Sequence, residues 1–287
     1  MQEDIIAMLQ SGNRKFSKGQ RRIKAYILES YDKAAFMTAS RLGDTVGVSE
    51  STVVRFAMEL GFEGYPEMQR AMQDMVLNRL TSVQRIGVTN DRIGDNDVVS
   101  KVLQADAEKL RKTDETVSRE EFAAAVQAIL QARRIYIVGV RSAAPVANFL
   151  SYYMNYMFDN VHTITNSGGS EILEKLVNVG PEDVLIAFSY PRYSTSTVKG
   201  AQYCRSIGAK VIGLTNTKRS PLAENSDYSL IAKSDMVSMV DSLVAPLSLV
   251  NALIVALAGK REDVLKKNFG TLERVWEEYN VYEKRTD

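Results

Sequence analysis

The sequence predicts an all-α N-terminal domain followed by an α/β domain in which a parallel sheet is flanked by helices. Three observations lead to this fold class. Residues 1–80 carry apolar side chains at helical spacing, without runs of β-branched residues. From residue 135 onward, short apolar runs alternate with helix-length amphipathic segments, which is typical of a parallel sheet. The chain has 287 residues, enough for about two domains.

The composition is ordinary for a globular protein, with 45% hydrophobic and 25% charged residues. Lys and Arg (36) nearly balance Asp and Glu (35), so the chain is not a uniformly basic nucleic-acid binder, although a local basic patch stays open. The single cysteine, Cys204, excludes an intramolecular disulfide and a multi-Cys metal site. The single histidine, His162, disfavours a His-based metal centre and a Ser-His-Asp triad. We expect no metal and no cofactor.

The most apolar stretch, 243–258, is too short to span a bilayer and contains Pro246, Ser248 and Asn251. It is typical of a buried helix. The first residues lack the pattern of a signal peptide. We therefore expect a cytoplasmic protein with no membrane partner.

Residues 38–62 have the pattern of a helix-turn-helix. A short helix is followed by Gly47, which supplies the positive φ that a tight interhelical turn needs. Ser49 then stands at the N-cap position of a second helix. The apolar face predicted for this second helix is Val53, Phe56, Ala57 and Leu60.

The start of the second helix is polar, and in a helix-turn-helix this end meets the major groove of DNA. A basic segment, 13–24, carries six cations and no acid, and such a cluster can neutralise phosphates. Plain three-helix packing with a solvated charged face is the alternative. The predicted DNA-binding residues are Ser49, Ser51, Thr52, Arg55, Lys18, Arg21 and Arg22.

Residues 1–80 form the predicted DNA-binding domain, 81–97 a linker rich in Gly, Asn, Asp, Ser and Thr, and 98–287 the α/β domain. The predicted strands are 135–140, 161–165, 183–188, 210–215 and 228–232. Helices are expected near 98–113, 119–132, 143–158, 171–178 and 194–207.

Two turns that follow predicted strands are candidate anion sites. After the first strand come Arg141 and Ser142, with Ser142 expected at the N-cap of the next helix. The spacing here matches neither a G-x-G-x-x-G fingerprint nor a Walker loop. After the third strand, residues 189–197 contain five hydroxyls and Arg192, which suits a phosphate ester. A capping loop with no ligand is the alternative.

Residues 39–69 resemble the helix-turn-helix of RpiR/MurR-type bacterial transcriptional regulators, most clearly over STVVRF (51–56) and LGFEGY (60–65). The two candidate anion loops resemble the SIS (sugar isomerase) domain, which in this type follows the helix-turn-helix and senses sugar phosphates. The resemblance implies an RpiR-type regulator of carbohydrate metabolism with a double-stranded DNA operator and a sugar-phosphate effector.

The resemblance carries over to three serines. Ser142 matches the phosphate-contacting Ser of the first motif, and Ser189 and Ser194 match the outer positions of the Ser-x-Ser-Gly-x-Thr loop. The sequence departs from that loop, since Pro191 replaces the middle Ser and Arg192 replaces the Gly. The predicted phosphosugar-binding residues are Ser142, Arg141, Ser189, Arg192 and Ser194.

The chain is predicted not to be an enzyme. A sugar-phosphate isomerase with an accessory helical domain is the alternative, and the local candidates for its base are Glu171, Glu174 and His162. We also expect a homodimer or homotetramer, because a helix-turn-helix reads two half-sites only as a dimer.

Overall fold

The computed structural model describes residues 5–10, 16–79, 97–234 and 240–283. The chain divides into two compact units, Met1–Gln84 and Arg85–Asp287. The predicted linker lies outside the described residues except for Asp97, and so do two cations of the basic segment, Arg14 and Lys15.

The described part of the N-terminal unit is helical, as predicted. Its helices are α1 (Ile5–Gln10), α2 (Lys18–Glu29), α3 (Tyr31–Ala34), α4 (Ala39–Val46), α5 (Glu50–Glu59) and α6 (Tyr65–Arg79). Fully buried apolar residues from α2, α4, α5 and α6 meet in one core. They include Ile23, Ile27, Leu42, Val53, Phe56, Met68 and Met72.

Local capping signals determine where these helices begin. The Ser17 hydroxyl accepts from the Gln20 N–H, and the Gln20 side chain accepts from the Ser17 N–H, which is a capping box at the start of α2. Thr38 caps α4 by accepting from the Arg41 N–H over 3.2 Å. Each cap satisfies an N–H group that has no partner inside its helix.

The second unit alternates strands and helices. Its helices are α7 (Val98–Thr116), α8 (Arg119–Gln131), α9 (Ala144–Met154), α10 (Glu171–Lys175), α11 (Thr195–Ser206), α12 (Val244–Lys260) and α13 (Glu262–Glu278). Its strands are β1 (Ile135–Gly139), β2 (Val161–Ile164), β3 (Val184–Phe188), β4 (Lys210–Thr215) and β5 (Tyr228–Ile231). The predicted strands are confirmed to within one residue.

The five strands form one parallel sheet in the order β2-β1-β3-β4-β5. Strands β1 and β3 are buried along their whole length, which explains why they read as continuous apolar runs. Ile137 and Ile186 face the side covered by α9 and α12, whereas Val138 and Leu185 face the side covered by α10 and α11. The predicted α/β class, with helices on both faces, is confirmed.

An ion pair joins the amino ends of two neighbouring strands. Arg133, just before β1, donates from Nε and Nη2 to the two carboxylate oxygens of Asp183, just before β3, over 2.9 and 2.8 Å. The Asp183 side chain is completely buried and also accepts from the Gly180 N–H. These donors outweigh the effect of burial, which by itself raises the pKa, and hold the pKa of Asp183 below its ordinary value.

Helix α12 occupies the stretch 243–258 that was predicted as a buried helix, but only one of its faces is buried. Ala245, Leu249, Val250 and Leu253 on it are buried in the core. Among the described residues no single helix is long and apolar enough to cross a membrane. Within the part of the chain that the structure describes, only α12 and α13 taken together, across a 96° bend, reach that length and composition.

Candidate functional site

The predicted helix-turn-helix is formed by α4, a turn at Gly47, and α5. Gly47 ends α4 with φ of 67° and ψ of 48°, a left-handed conformation that costs a residue with a Cβ about 1–2 kcal/mol. The apolar face predicted for α5 is buried at each of its four positions. The predicted glycine turn and the predicted apolar face of the second helix are therefore both present in the structure.

Polar side chains gather at the exposed amino end of α5. Ser49 occupies the N-cap position, as predicted, but its side chain accepts no hydrogen bond from the backbone. Its Oγ instead lies 3.0 Å from Ser51 Oγ and 2.9 Å from Thr52 Oγ1. Arg55, one turn further on, donates from Nε to the Ser51 carbonyl oxygen over 3.3 Å. Three hydroxyls and a guanidinium thus form one polar surface.

The amino end of α2 lies beside this surface. A Cβ built on Gly19 would lie 3.3 Å from Val48 Cγ1 and 3.5 Å from Thr52 Cγ2, so the two segments are in contact. The predicted cations of α2 that the structure describes, Lys18, Arg21 and Arg22, are exposed. The structure thus brings the predicted hydroxyls and cations of this unit together on neighbouring elements.

In the second unit, a cavity of about 730 Å³ opens at the carboxyl edge of β1, β2 and β3. The chain passes from β1 to β2 on one side of the sheet and then to β3 on the other, and open α/β sheets bind ligands where the strand order reverses in this way. Three loops line the cavity, 140–141, 165–170 and 192–196, together with Leu173 and Lys199.

The lining is cationic and rich in hydroxyls. Arg141, Arg192 and Lys199 contribute to it, and none of the lining residues that the structure describes is an Asp or a Glu. The Ser194 hydroxyl accepts from the Thr197 N–H at the start of α11 over 3.3 Å. The first N–H groups of a helix have no partner inside the helix and attract negative charge. The cavity is therefore suited to an anion.

Both arginines in the described cavity lining have an unusual backbone conformation. Arg141 has φ of 58° and Arg192 has φ of 63°, which is the left-handed region. Residues other than glycine and asparagine rarely adopt this backbone region, because it costs them about 1–2 kcal/mol. Arg192 occupies the position of the Gly in the loop that the sequence resembles, so the backbone keeps the glycine-like conformation while the side chain adds a charge.

The predicted phosphosugar-binding residues separate into two groups. Arg141, Arg192 and Ser194 line the cavity, whereas Ser142 and Ser189 do not. Ser189 is buried, and its Oγ accepts from the Ser194 N–H over 3.2 Å, so it holds the loop in shape.

The expectation that Ser142 caps the next helix is wrong. Ser142 lies in a 3₁₀ turn, Arg141–Ala143, and the N-cap position of α9 belongs to Ala143. Arg141 has a left-handed backbone with φ of 58°, and the Ala143 N–H donates to the Val140 carbonyl oxygen over 3.2 Å. This tight turn includes Ser142, so α9 begins only after it.

Two parts of the cavity lining were not predicted from the sequence. The first part is Lys199, which lies one helical turn after Thr195. Because residues four apart share one face of a helix, the spacing of these two residues on the predicted helix could have placed Lys199 on the same side as Thr195. The second part is the loop 165–170 after β2, whose Gly-Gly-Ser pattern marks a turn without indicating that it faces the other two loops.

The candidate bases of the enzyme alternative lie outside the cavity lining. Glu171 forms an ion pair with Lys175 over 2.9 Å, and hydrogen bonds from Lys175 and then Ser167 hold its pKa below the ordinary value. His162 lies exposed on β2, with its ring stacked on Tyr136 at a centroid distance of 4.9 Å. A general acid or base needs a pKa nearer to neutral pH and reach to the substrate, so this arrangement does not favour Glu171.

Comparison with protein families gives a match for each unit. Residues 3–78 match the family model described as helix-turn-helix domain, rpiR family. Residues 128–256 match the model of the SIS domain. The two matches follow each other along the chain in the order that the sequence motifs predicted.

Individual relatives and solved structures agree. An uncharacterized HTH-type transcriptional regulator of Clostridium perfringens is 25% identical over 79% of this chain and 80% of its own length. The sugar isomerase domain of an RpiR transcription factor from Sphaerobacter thermophilus is 29% identical, with a TM-score of 0.59, over 61% of this chain and 97% of that one. The NanR protein of Vibrio vulnificus, solved in complex with ManNAc-6P, shares the fold at 22% identity and a TM-score of 0.58, covering 94% and 98% of the two chains.

Proposed function

Because the chain is a transcriptional regulator of the RpiR type, with an rpiR-family helix-turn-helix and a SIS domain, we propose that a sugar phosphate bound in its SIS-domain cavity changes its affinity for operator DNA. The observation that carries the proposal is the cavity at the carboxyl edge of β1, β2 and β3, where the lining residues that the structure describes include three cations and no acid. The protein would regulate carbohydrate metabolism and would act in the cytoplasm.

The DNA-binding half of the proposal rests on the amino end of α5. Helix-turn-helix proteins insert this end of the second helix into the major groove. Ser49 and Ser51 there are exposed, and Arg55 one turn on has the planar fork that grips guanine through two hydrogen bonds. Lys18 and Arg21 on α2 would neutralise the flanking phosphates.

The effector-binding half rests on the loop after β3 and the start of α11. The N–H groups of Thr195 and Ser196 open the helix, beside the hydroxyls of Ser194 and Ser196. A phosphate monoester carries about −1.5 to −2 charge at pH 7 and has three oxygens that accept such donors. The exposed Arg141 and Arg192 would add charge-assisted hydrogen bonds.

For the effector to control DNA binding, it must bind one quaternary arrangement of the protein better than another. We propose a homodimer or homotetramer, because two recognition helices are needed for two half-sites. Exposed apolar side chains in the second unit support self-association, notably Val255, which is 71% exposed, and Tyr152, which is 56% exposed.

The test is selection of bound duplexes from a random DNA pool by the full-length protein at physiological salt, repeated with a mixture of sugar phosphates. We expect a palindrome whose half-sites are about 10 base pairs apart, with an affinity that the mixture changes. Arg55→Ala should abolish the sequence preference. Ser194→Ala should leave operator binding in the absence of effector unchanged but remove the response to the mixture.

Two results would contradict the proposal separately. If no sequence is enriched with or without the mixture, the DNA-binding half fails. If a palindrome is recovered but sugar phosphates leave its affinity unchanged, the sensing half fails. Turnover of a sugar phosphate by the protein, lost in Glu171→Gln, would instead favour the isomerase alternative.

A further inference from the structure

Met58 of α5 is an apolar side chain that the fold leaves in water. It is 57% exposed, whereas the apolar face of the same helix, which includes Val53 and Phe56, is completely buried. Among the large apolar residues of the N-terminal unit that the structure describes, Met58 is the most exposed. Packing within the unit therefore does not explain an apolar residue here. A single exposed apolar side chain is ordinary on a protein surface, so its place on the helix has to carry the argument.

Met58 lies on the side of α5 that is predicted to meet DNA. Positions i, i+3, i+4 and i+7 share one face of a helix, and a helix in the major groove contacts base edges through this spacing. Counted from the first of them, these positions are Ser51, Val54, Arg55 and Met58. Val54 is half-buried, and the other three are exposed. The DNA-facing surface thus extends two turns along α5 and includes two apolar side chains.

The chemistry of this surface changes along the helix. Ser51 and Arg55 offer donors that hydrogen-bond to base edges, whereas Val54 and Met58 offer apolar contact. The apolar group that base pairs present in the major groove is the 5-methyl group of thymine. Methionine is unbranched and has three rotatable bonds, so it adapts to the position of such a group. Val54 lies four residues before Met58, which places the two side chains next to each other.

Helix geometry gives the distance between the two contacted bases. Met58 lies three residues after Arg55, which is about 4.5 Å along the helix axis because each residue rises about 1.5 Å. Successive bases of one DNA strand rise about 3.4 Å. A helix that lies along the groove therefore places Met58 one to two base pairs from the base that Arg55 contacts.

We propose that Met58, with Val54 packed beside it, contacts the 5-methyl group of a thymine in each operator half-site, one to two base pairs from the guanine that Arg55 contacts. This inference rests on the proposed function, because it names a base that the same helix recognises. Burial of one methyl group changes the affinity about fourfold, so Met58 determines sequence specificity to about that extent in each half-site.

The test replaces thymine by deoxyuridine, one position at a time in one half-site, in the duplex recovered from the random DNA pool. Uracil keeps every hydrogen-bonding group of thymine and lacks only the 5-methyl group. Titration of each labelled duplex with the full-length protein measures the affinity. We expect uracil at a thymine one to two base pairs from a guanine to lower the affinity about fourfold.

Two variants and one control assign this uracil penalty to Met58. Met58→Ala should bind the thymine duplex about fourfold more weakly for each half-site and should bind the thymine and uracil duplexes with equal affinity. Met58→Leu, which is apolar and of similar size, should keep the penalty. Val177→Ala is the matched control, because it shortens an apolar side chain of the second unit that is 63% exposed, and it should change neither the affinity nor the penalty.

The failures are distinguishable. If no thymine lies at that distance from a guanine, or if uracil there leaves the affinity unchanged, the thymine contact is disproved and operator binding stands. If the uracil penalty persists in Met58→Ala, or is lost in Met58→Leu as well, the assignment to the apolar side chain of Met58 is disproved. If no duplex is enriched from the pool, the DNA-binding half of the proposed function fails and this inference fails with it.

Discussion

Arg22 of α2 donates a hydrogen bond from Nη1 to the carbonyl oxygen of Gly47, across 3.0 Å and 25 positions of sequence. Gly47 is the turn between the two helices of the helix-turn-helix, so Arg22 ties α2 to that turn. Arg21, its exposed neighbour, lies on the same helix. Of these two adjacent arginines, Arg22 therefore stabilises the turn through this hydrogen bond, whereas Arg21 is not part of it.

Substitution of each arginine by alanine should separate the two contributions. If both contact phosphates, Arg21→Ala and Arg22→Ala should each reduce the slope of log affinity against log salt by about 0.9. Only Arg22→Ala should also destabilise the N-terminal unit, by about 0.5–1 kcal/mol, because it loses the bond to Gly47. Operator titrations at several salt concentrations, together with thermal unfolding, measure both effects. An unchanged salt slope in Arg21→Ala would remove it from the DNA interface.

The N-cap position of α5 should tolerate the loss of its hydroxyl unusually well. Replacing an N-cap Ser or Thr by Ala ordinarily costs about 1 kcal/mol. Because the Ser49 side chain bonds only to other hydroxyls, we expect Ser49→Ala to cost less than about 0.5 kcal/mol. Its effect should instead appear as operator affinity lowered about threefold or more.

Thr38→Ala is the matched control, because Thr38 does cap its helix. We expect it to cost about 1 kcal/mol in urea denaturation. Equal costs for the two substitutions would mean that Ser49 caps α5 in the free protein and is not reserved for a partner.

The Asp183 carboxylate should make the second unit sensitive to acid. Its pKa in the folded protein lies below the ordinary value of 3.8, so the stability it contributes is present above that pH and is lost as the pH falls through the folded pKa. Asp183→Asn should therefore lower the unfolding free energy by about 2–3 kcal/mol at pH 7. The difference from the wild type should shrink toward pH 3. Urea denaturation at the two pH values measures it.

Asp114→Asn is the control for the pH series. Asp114 pairs with Arg119, but both side chains are more than two-thirds exposed, at 76% and 70%. A pair in that setting contributes about 0.5 kcal/mol or less. A loss of 2 kcal/mol or more in Asp114→Asn, or a difference for Asp183→Asn that persists at low pH, would contradict the assignment.

Arg192→Gly should change stability and binding in opposite directions. Relief of the left-handed backbone at φ of 63° returns about 1–2 kcal/mol, and the greater freedom of glycine in the unfolded chain takes back about 0.5–1 kcal/mol. We therefore expect a free protein that is up to about 1.5 kcal/mol more stable, with weaker effector binding. Lys199→Ala, on ordinary helical backbone, should weaken binding without such a gain. Thermal unfolding with and without effector compares them.

Much of the fold could be predicted because its signals are local. Residues 135–139 and 184–188 appear in the sequence as continuous apolar runs, and both are strands buried on two faces. Gly47 marked the turn of the helix-turn-helix because its positive φ is a property of that one residue. Helix boundaries were less exact, as at Ser142, because a left-handed Arg141 and a 3₁₀ turn precede α9 there, and the residue types indicate neither.

The candidate site could be predicted only in part. The sequence drew attention to Arg141, Arg192 and Ser194, and all three line the cavity. It could not show that Ser189 turns inward to accept from the Ser194 N–H. The role of the loop 165–170 was equally hidden, because it depends on β2 lying next to β1 in the sheet.

The sequence by itself determined the order of helices and strands, the helix-turn-helix and the two loops with anion-binding chemistry. These follow from side-chain periodicity, capping residues and backbone preferences, which act over a few neighbouring positions. Only the tertiary structure decided the strand order β2-β1-β3-β4-β5, the convergence of three loops on one cavity, and the bond from Arg22 to Gly47. Such relationships join residues far apart in the chain, and they arise from the packing of whole elements, which no local pattern encodes.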